Sequence, residues 1–173
     1  MTRSVSYRIR PIGEADQAFL WEMLYQALFV PEGAEPLPRE IVKQPEIARY
    51  VAEWGRSGDR GFIAIEEGEG KAIGAVWERR FSASEKGYGF VAEGIPELSI
   101  AILPGYRNRG IGTALLERLI GEKRGDRAGV SLSVSAENPA IRLYRRLGFR
   151  EVEVDGSSVI MVLAGEDGGS SSE

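Results

Sequence analysis

The segment ELSIAILPGYRNRGIGTALLERLIG, from Glu97 to Gly121, narrows the choice of folds more than any other. Its apolar-rich start, Glu97 to Leu103, is stopped by Pro104 and Gly105, and from Gly112 apolar residues recur every three or four positions. A strand therefore passes through a short turn straight into an amphipathic helix, predicted over Gly112 to Gly121. Such a helix begins with unpaired N–H groups and a partial positive charge. Gly110 and Gly112 let the backbone approach an anion, and Arg107 and Arg109 stand alongside. A phosphate group fits this turn. Along the strand, Leu98, Ile100 and Ile102 form one face and Glu97, Ser99 and Ala101 the other, which is small and polar.

Two familiar phosphate loops do not fit. In a nucleotide P-loop, lysine would stand where Ile111 stands, and a dinucleotide fingerprint would need a third glycine where Leu115 stands. An ordinary strand-to-helix turn is the plainer alternative.

The remaining chain alternates between periods. SYRIR, Ser6 to Arg10, predicts a strand with Tyr7 and Ile9 on one side. Phe19, Leu20, Met23, Leu24, Ala27 and Leu28 have the spacing of an amphipathic helix, which VPEGAEPLP ends. A second helix is predicted over roughly Glu40 to Trp54, split at Pro45. GFIAIEE and AIGAVWERRF flank the turn GEGK as a hairpin, and SASEKGYGFVAEGIP forms a loop. GVSLSVSA predicts a strand. ENPAIRLYRRLGF predicts a short helix with Asn138 as N-cap, Pro139 at the first helical position and Gly148 at its end. REVEVDGSSVIMVLA predicts a closing hairpin. These elements make one α/β domain over residues 1–164: a mixed, mostly antiparallel sheet of about seven strands flanked by about four helices. The tail 165–173 is expected to be flexible.

Composition excludes several chemistries. The chain has 173 residues, no cysteine, no histidine and a net charge of −4. Cysteine nucleophiles, Ser-His-Asp triads and histidine or thiolate zinc sites are closed, and no metal is expected. The acidic balance argues against nucleic acid as a partner. With no signal-peptide pattern and no apolar run of about 18 residues, a soluble cytoplasmic protein without membrane contact is expected.

ILPGYRNRGIGTALLERL resembles the acetyl-CoA-binding motif of the GNAT superfamily of N-acetyltransferases, whose core is [Q/R]-x-x-G-x-[G/A], here Arg107, Gly110 and Gly112. SVSAENPAIRLYRRLGF resembles the next motif of that family, and YRIRPIGEAD its first strand and turn. The resemblance implies a GNAT-like fold and an acetyl-CoA-dependent N-acetyltransferase, with the amine attacking directly in a ternary complex. It implies that backbone groups of Ile100, Ala101 and Ile102 pair with the pantetheine arm. The pyrophosphate would lie on the N–H groups of Asn108, Arg109, Gly110, Ile111, Gly112 and Thr113, with Arg107 opening the loop. Asn138 would contact the cofactor, although it stands two residues before Ala140 where the family often has three. Tyr144 would protonate the departing thiolate. The alternatives are a helix cap for Asn138 and a core position for Tyr144.

The glutamate that many relatives carry on the strand after the cofactor helix is missing: Ser131, Ser133 and Ser135 occupy that strand. A lysine-like amine near pKa 10.4 costs roughly 4–5 kcal/mol to deprotonate at pH 7, so a base is required. Glu97 is the candidate, with Glu93 a weaker one and Glu137 a support for its helix; a solvated strand-end carboxylate is the plain alternative for Glu97. Trp21, Tyr25, Tyr50, Trp54, Tyr88 and Phe90 are candidate walls for a small-molecule or peptide amine. A homodimer through the final hairpin is expected. A non-catalytic acyl-CoA-binding or regulatory module of the same fold is the rival reading.

Overall fold

The computed structural model describes residues 5–123, 125–126 and 128–165; most of the predicted tail, 166–173, lies outside them. Among the described residues seven strands form one sheet: β1 (Tyr7–Pro11), β2 (Arg60–Glu66), β3 (Ala72–Arg79), β4 (Glu97–Ile102), β5 (Val130–Ser135), β6 (Arg150–Asp155) and β7 (Ser158–Leu163). Four α-helices accompany them: α1 (Gln17–Ala27), α2 (Pro45–Ala48), α3 (Ile111–Glu122) and α4 (Ile141–Arg146). The order across the sheet is β1-β2-β3-β4-β5-β7-β6, and every neighbouring pair is antiparallel except β4 and β5.

That exception creates the site. β4 and β5 run parallel but share one register pair, Glu97 with Ser131, beside the bond from Ser131 N to Pro96 O at 2.9 Å. Beyond it their ladder stops, and the carboxyl end of β4 opens onto a cleft.

The alternation of β4 decides which side chain meets which layer. Leu98 joins the core built on α3 and α4, with Leu115, Leu116, Leu119 and Tyr144, and Ile100 and Ile102 pack against that cluster. Ala101 joins the core on the opposite face, with Leu20, Met23 and Leu24 of α1 and Ile47 of α2. A Leu→Ala change at Leu115 or Leu119, both fully buried, would cost about 2–5 kcal/mol.

Two local expectations are corrected. The helix predicted over Glu40 to Trp54 is a 3-10 turn at Arg39–Lys43 and the four-residue α2, separated by the extended Gln44. Pro45 starts α2 at a position where its missing N–H costs nothing. Past α2 the chain continues in turns to Ala52 and the left-handed Glu53, φ 55°, ends the run, where the Arg79 guanidinium of β3 donates to the carbonyls of Arg49 at 2.9 Å and Ala52 at 2.6 Å. At the second place, α4 begins at Ile141 with Ala140 as its cap, two residues later than the Asn-Pro pair predicts. The Asn138 side chain turns on Ala140 instead, accepting its N–H at 2.9 Å, and so shapes the turn before the helix rather than capping it.

Candidate active site

A cleft of about 1010 Å³ runs between the end of α1 with its following loop, the end of β4, the start of α3, and α4. Ile100, Ala101, Ile102, Arg107, Asn108, Gly110, Gly112, Thr113, Asn138 and Tyr144 all line it. Segments far apart in sequence thus meet on one surface. The charged residues on its walls are Arg107, Arg142 and Arg146, all cationic.

The turn into α3 has the shape an anion needs. Asn108 and Gly110 both have left-handed backbones, at φ 61° and 82°, and Gly110 is the residue from which α3 starts. The first helical hydrogen bond runs from Ala114 N to Gly110 O at 3.1 Å, so the N–H groups of Ile111, Gly112 and Thr113 precede it without a helical carbonyl. A Cβ placed on Gly110 would meet nothing within 4 Å, and one on Gly112 would only touch Ile100 at 3.8 Å and Ile102 at 3.9 Å. The backbone is therefore bare toward the cleft, which suits a pyrophosphate.

Two predicted contacts take a different form. The Ile111 side chain is 1% exposed and belongs to the core, so only its backbone serves the turn, and neither it nor Arg109 lines the cleft. The Arg109 guanidinium stands 5.9 Å from the Tyr106 ring centre. Arg107 lines the cleft while tying the turn to its neighbours, donating to Ile102 O at 3.0 Å and to Gln26 Oε1 at 3.1 Å. Asn138 also lines the cleft, with its oxygen engaged by Ala140.

Tyr144 sits on α4 with its ring edge-on to Phe149 at 5.9 Å. It is buried yet borders the cleft, and burial pushes its hydroxyl up to about 12. It is both a core tyrosine and a cleft tyrosine, and it stays protonated through the physiological range.

Glu97 is placed differently. It is 3% exposed and is not among the residues lining the cleft. The Tyr50 hydroxyl donates a hydrogen bond to its Oε2 and accepts one from Tyr88 N at 2.7 Å. Oε1 is buried with no donor in hydrogen-bonding geometry. Burial pushes the carboxyl up to about 7, opposed by the Tyr50 hydroxyl and the neighbouring Gly89 amide. A carboxyl so placed is no solvated strand end; it titrates where a general base works.

The loop between β3 and β4 closes over it. A Cβ on Gly87 would lie 2.2 Å from Glu97 Oε1, and one on Gly89 2.8 Å from the Leu132 carbonyl carbon and 3.1 Å from Glu97 Cδ. Ser131 Oγ donates to Gly89 O at 2.8 Å and pins the loop to β5. Sequence reasoning missed this cover. Its one signal is the G-x-G in KGYGF, which marks a close approach rather than an anion site.

Of the expected acceptor walls, Tyr25 lines the cleft, its hydroxyl donating to Leu37 O at 2.6 Å. Tyr50 is buried on Glu97, while Tyr88 is 59% exposed and stacks on it at 6.4 Å. Trp54 lies under Arg79 and lines a separate cavity, and Trp21 and Phe90 pack against the α1-side core. Glu93 accepts from Ala83 N at 3.1 Å and, like Glu137, is exposed.

The α/β fold, with a parallel strand pair beside a glycine-rich helix start, matches that of known acetyltransferases. The family model described as an acetyltransferase (GNAT) domain matches residues 57–151, more than half of the chain. The chain belongs to the GNAT acetyltransferase family. It is 33% identical over 157 residues to an uncharacterized N-acetyltransferase of Methanocaldococcus jannaschii, covering 86% of this chain and 63% of that protein, so it spans less than two thirds of that relative. Among solved structures it resembles the ribosomal-protein-S18-alanine N-acetyltransferase of Escherichia coli, with a TM-score of 0.63 at 23% identity over 95% of this chain and 98% of that one. It also resembles a GNAT family acetyltransferase of Brucella melitensis in complex with acetyl-CoA, with a TM-score of 0.57 at 21% identity over 92% and 88% of the two chains. At these identities the structures establish the shared fold.

Proposed function

We propose that the protein is an acetyl-CoA-dependent N-acetyltransferase in which an amine attacks the thioester directly. The observation that carries this reading is the joining, on one cleft, of the bare N-terminal turn of α3 with the buried hydroxyl of Tyr144. The acetyl-CoA bound in the Brucella neighbour supports the choice of cosubstrate. The name of the Escherichia coli neighbour specifies a ribosomal-protein alanine, which supports a peptide or protein amine as acceptor over a small molecule.

In this reading the pyrophosphate lies on the N–H groups from Asn108 to Thr113, and Arg142 and Arg146 supply positive charge nearby. Ile100 and Ala101 offer backbone groups to the pantetheine arm; the Ile102 carbonyl already accepts Arg107. The acceptor arrives as an ammonium and gives one proton to Glu97, directly or through water. Its lone pair forms the C–N bond to the acetyl carbon. The C–S bond breaks, its electron pair stays on sulfur, and the sulfur takes the proton of Tyr144. The second proton lost by nitrogen restores Tyr144, and Glu97 releases its own to solvent. The sum is an amide, a free thiol and one proton.

Because Glu97 lies beneath the loop 82–96 rather than on the cleft wall, the proton reaches it through water or after that loop shifts. Release of thiol from acetyl-CoA across a panel of amines tests the function. Tight acetyl-CoA binding without thiol release above the rate of hydrolysis, on every peptide and small amine tried, would favour the non-catalytic module. A homodimer is also proposed, on the exposed Val152 and Val154 of the edge strand β6. A monomer mass in light scattering at micromolar concentration would exclude it.

A further inference from the structure

Tyr50 lies 47 residues from Glu97 in sequence and is buried against it, with its hydroxyl between two fixed partners. The hydroxyl gives its proton to Glu97 Oε2 and receives the N–H of Tyr88 at 2.7 Å. An amide N–H cannot take a proton, so the phenol has nowhere to pass one on. It is a fixed donor and not a relay. The backbone under it is fixed too, since Trp77 Nε1 donates to Tyr50 O at 3.1 Å, and its ring packs edge-on against Phe81 at 5.0 Å.

The Gly89 amide also favours the charged carboxyl, and the other polar groups near it have partners elsewhere. Arg79 stands opposite Glu97 in the β3–β4 register, but its guanidinium donates to both oxygens of Asp59, at 3.0 and 2.8 Å. Ser131 of β5 donates to Gly89 O, and the Tyr88 phenol is stacked outward and exposed. Glu97 Oε1 is left as the buried atom of the carboxyl without a donor.

We propose that Tyr50 is the positioning residue for Glu97: its hydroxyl engages Oε2 and holds the carboxyl beneath the Gly87–Gly89 segment, leaving Oε1 as the oxygen that takes the acceptor's proton once water or a shift of that loop brings it. This rests on the reading of Glu97 as the base. The hydrogen bond also sets how basic the carboxyl is. A donor on one oxygen favours the carboxylate and opposes the desolvation that favours the acid. Removing it makes the carboxyl hold its proton to higher pH.

The test uses the full chain with acetyl-CoA and the amino terminus of an alanine-starting peptide as the probe, comparing Tyr50→Phe and Glu97→Gln with the unaltered protein. Tyr50→Phe keeps the ring and its packing. Its acid limb in kcat should move up by about one pH unit, the scale of a hydrogen bond to a charged group, with KM for the peptide unchanged. Difference infrared spectroscopy of the protonated carboxyl, its band assigned by its loss in Glu97→Gln, should show the same displacement without any substrate. Placing 3-fluorotyrosine at position 50, a stronger donor, should move the infrared midpoint the other way. A midpoint that neither variant moves overturns the role of Tyr50. A Glu97→Gln protein with the unaltered protein's pH profile overturns the base itself, an outcome distinct from the first because the infrared midpoint is read without turnover.

Discussion

The two ends of β4 are built on opposite principles. At its carboxyl end the chain runs into an open turn, where Asn108 and Gly110 bend the backbone left-handed and nothing crowds Gly110. At its amino end Glu97 is sealed under Gly87, Gly89 and Tyr50, so closely that one methyl group would not fit. A polyanion must enter and leave from water, and backbone dipoles at a helix start hold it without a reorganisation cost. A carboxylate becomes a useful base at neutral pH only when water is kept from it. Ligand binding calls for openness and pKa tuning for burial, and six residues of strand separate the two demands.

The sealed end gives the largest expected effect. The Glu97 carboxyl rises from an ordinary 4.5 to about 7 on folding, so between those values the folded state binds more protons than the unfolded one. Stability must then fall as pH rises through that window, on the order of 3 kcal/mol in all, equivalent to more than a hundredfold in the folding equilibrium. This contribution is fully present as a cost above pH 7 and absent below 4.5. Urea unfolding from pH 4.5 to 8 should show that decline, and Glu97→Gln should remove it. Parallel curves for the two proteins would mean that Glu97 is charged and well solvated when folded.

Next in size is the hydroxyl of Tyr144. Tyr144→Phe keeps the ring on Phe149, so folding and acetyl-CoA affinity should survive while kcat falls toward the lower end of the 10²–10⁴-fold span of acid–base groups. A thiol near pKa 8.5 leaves readily as thiolate at high pH, so the deficit should be greatest at low pH. An equal loss at every pH would assign the residue to packing.

The open end gives the smallest of these effects and the cleanest to interpret. Gly112 is helical and a Cβ there makes only ordinary contacts with Ile100 and Ile102, whereas any substitution at Gly110 is strained by its φ of 82°. Gly112→Val should therefore weaken acetyl-CoA binding about tenfold by calorimetry, roughly 1.4 kcal/mol, and leave thermal stability within about 1 kcal/mol. Unchanged affinity would move the cofactor away from the turn.

The open end was the more legible in sequence. Strand, turn and helix are contiguous from Glu97 to Gly121, so period and glycine placement suffice to build it, and the α3 prediction errs by one residue at each end. The alternation of β4 separated Leu98 from Ala101 correctly, but the face of Glu97, Ser99 and Ala101, expected to be the small polar wall of the cleft, packs Ala101 into the α1-side core and keeps Glu97 off the cleft, which Ile100 and Ile102 of the other face also line. The sealed end depends on contacts that no local pattern encodes. Tyr50 was one aromatic among six candidate walls until folding set its hydroxyl on Glu97. The α2 region failed for the same reason: Arg79, thirty residues from Arg49 in sequence, meets the carbonyls of Arg49 and Ala52, and Glu53 turns left-handed after them, which no local pattern encodes.

The division of labour along β4 is tested most directly by one pH–rate profile, that of Glu97→Gln against the unaltered protein on a peptide amine with saturating acetyl-CoA. With Glu97 as the base, the variant loses about 10²–10⁴-fold near pH 7, and the loss narrows as pH rises and the amine deprotonates unaided. Superimposable profiles would contradict it and assign the proton to another group or to bulk water.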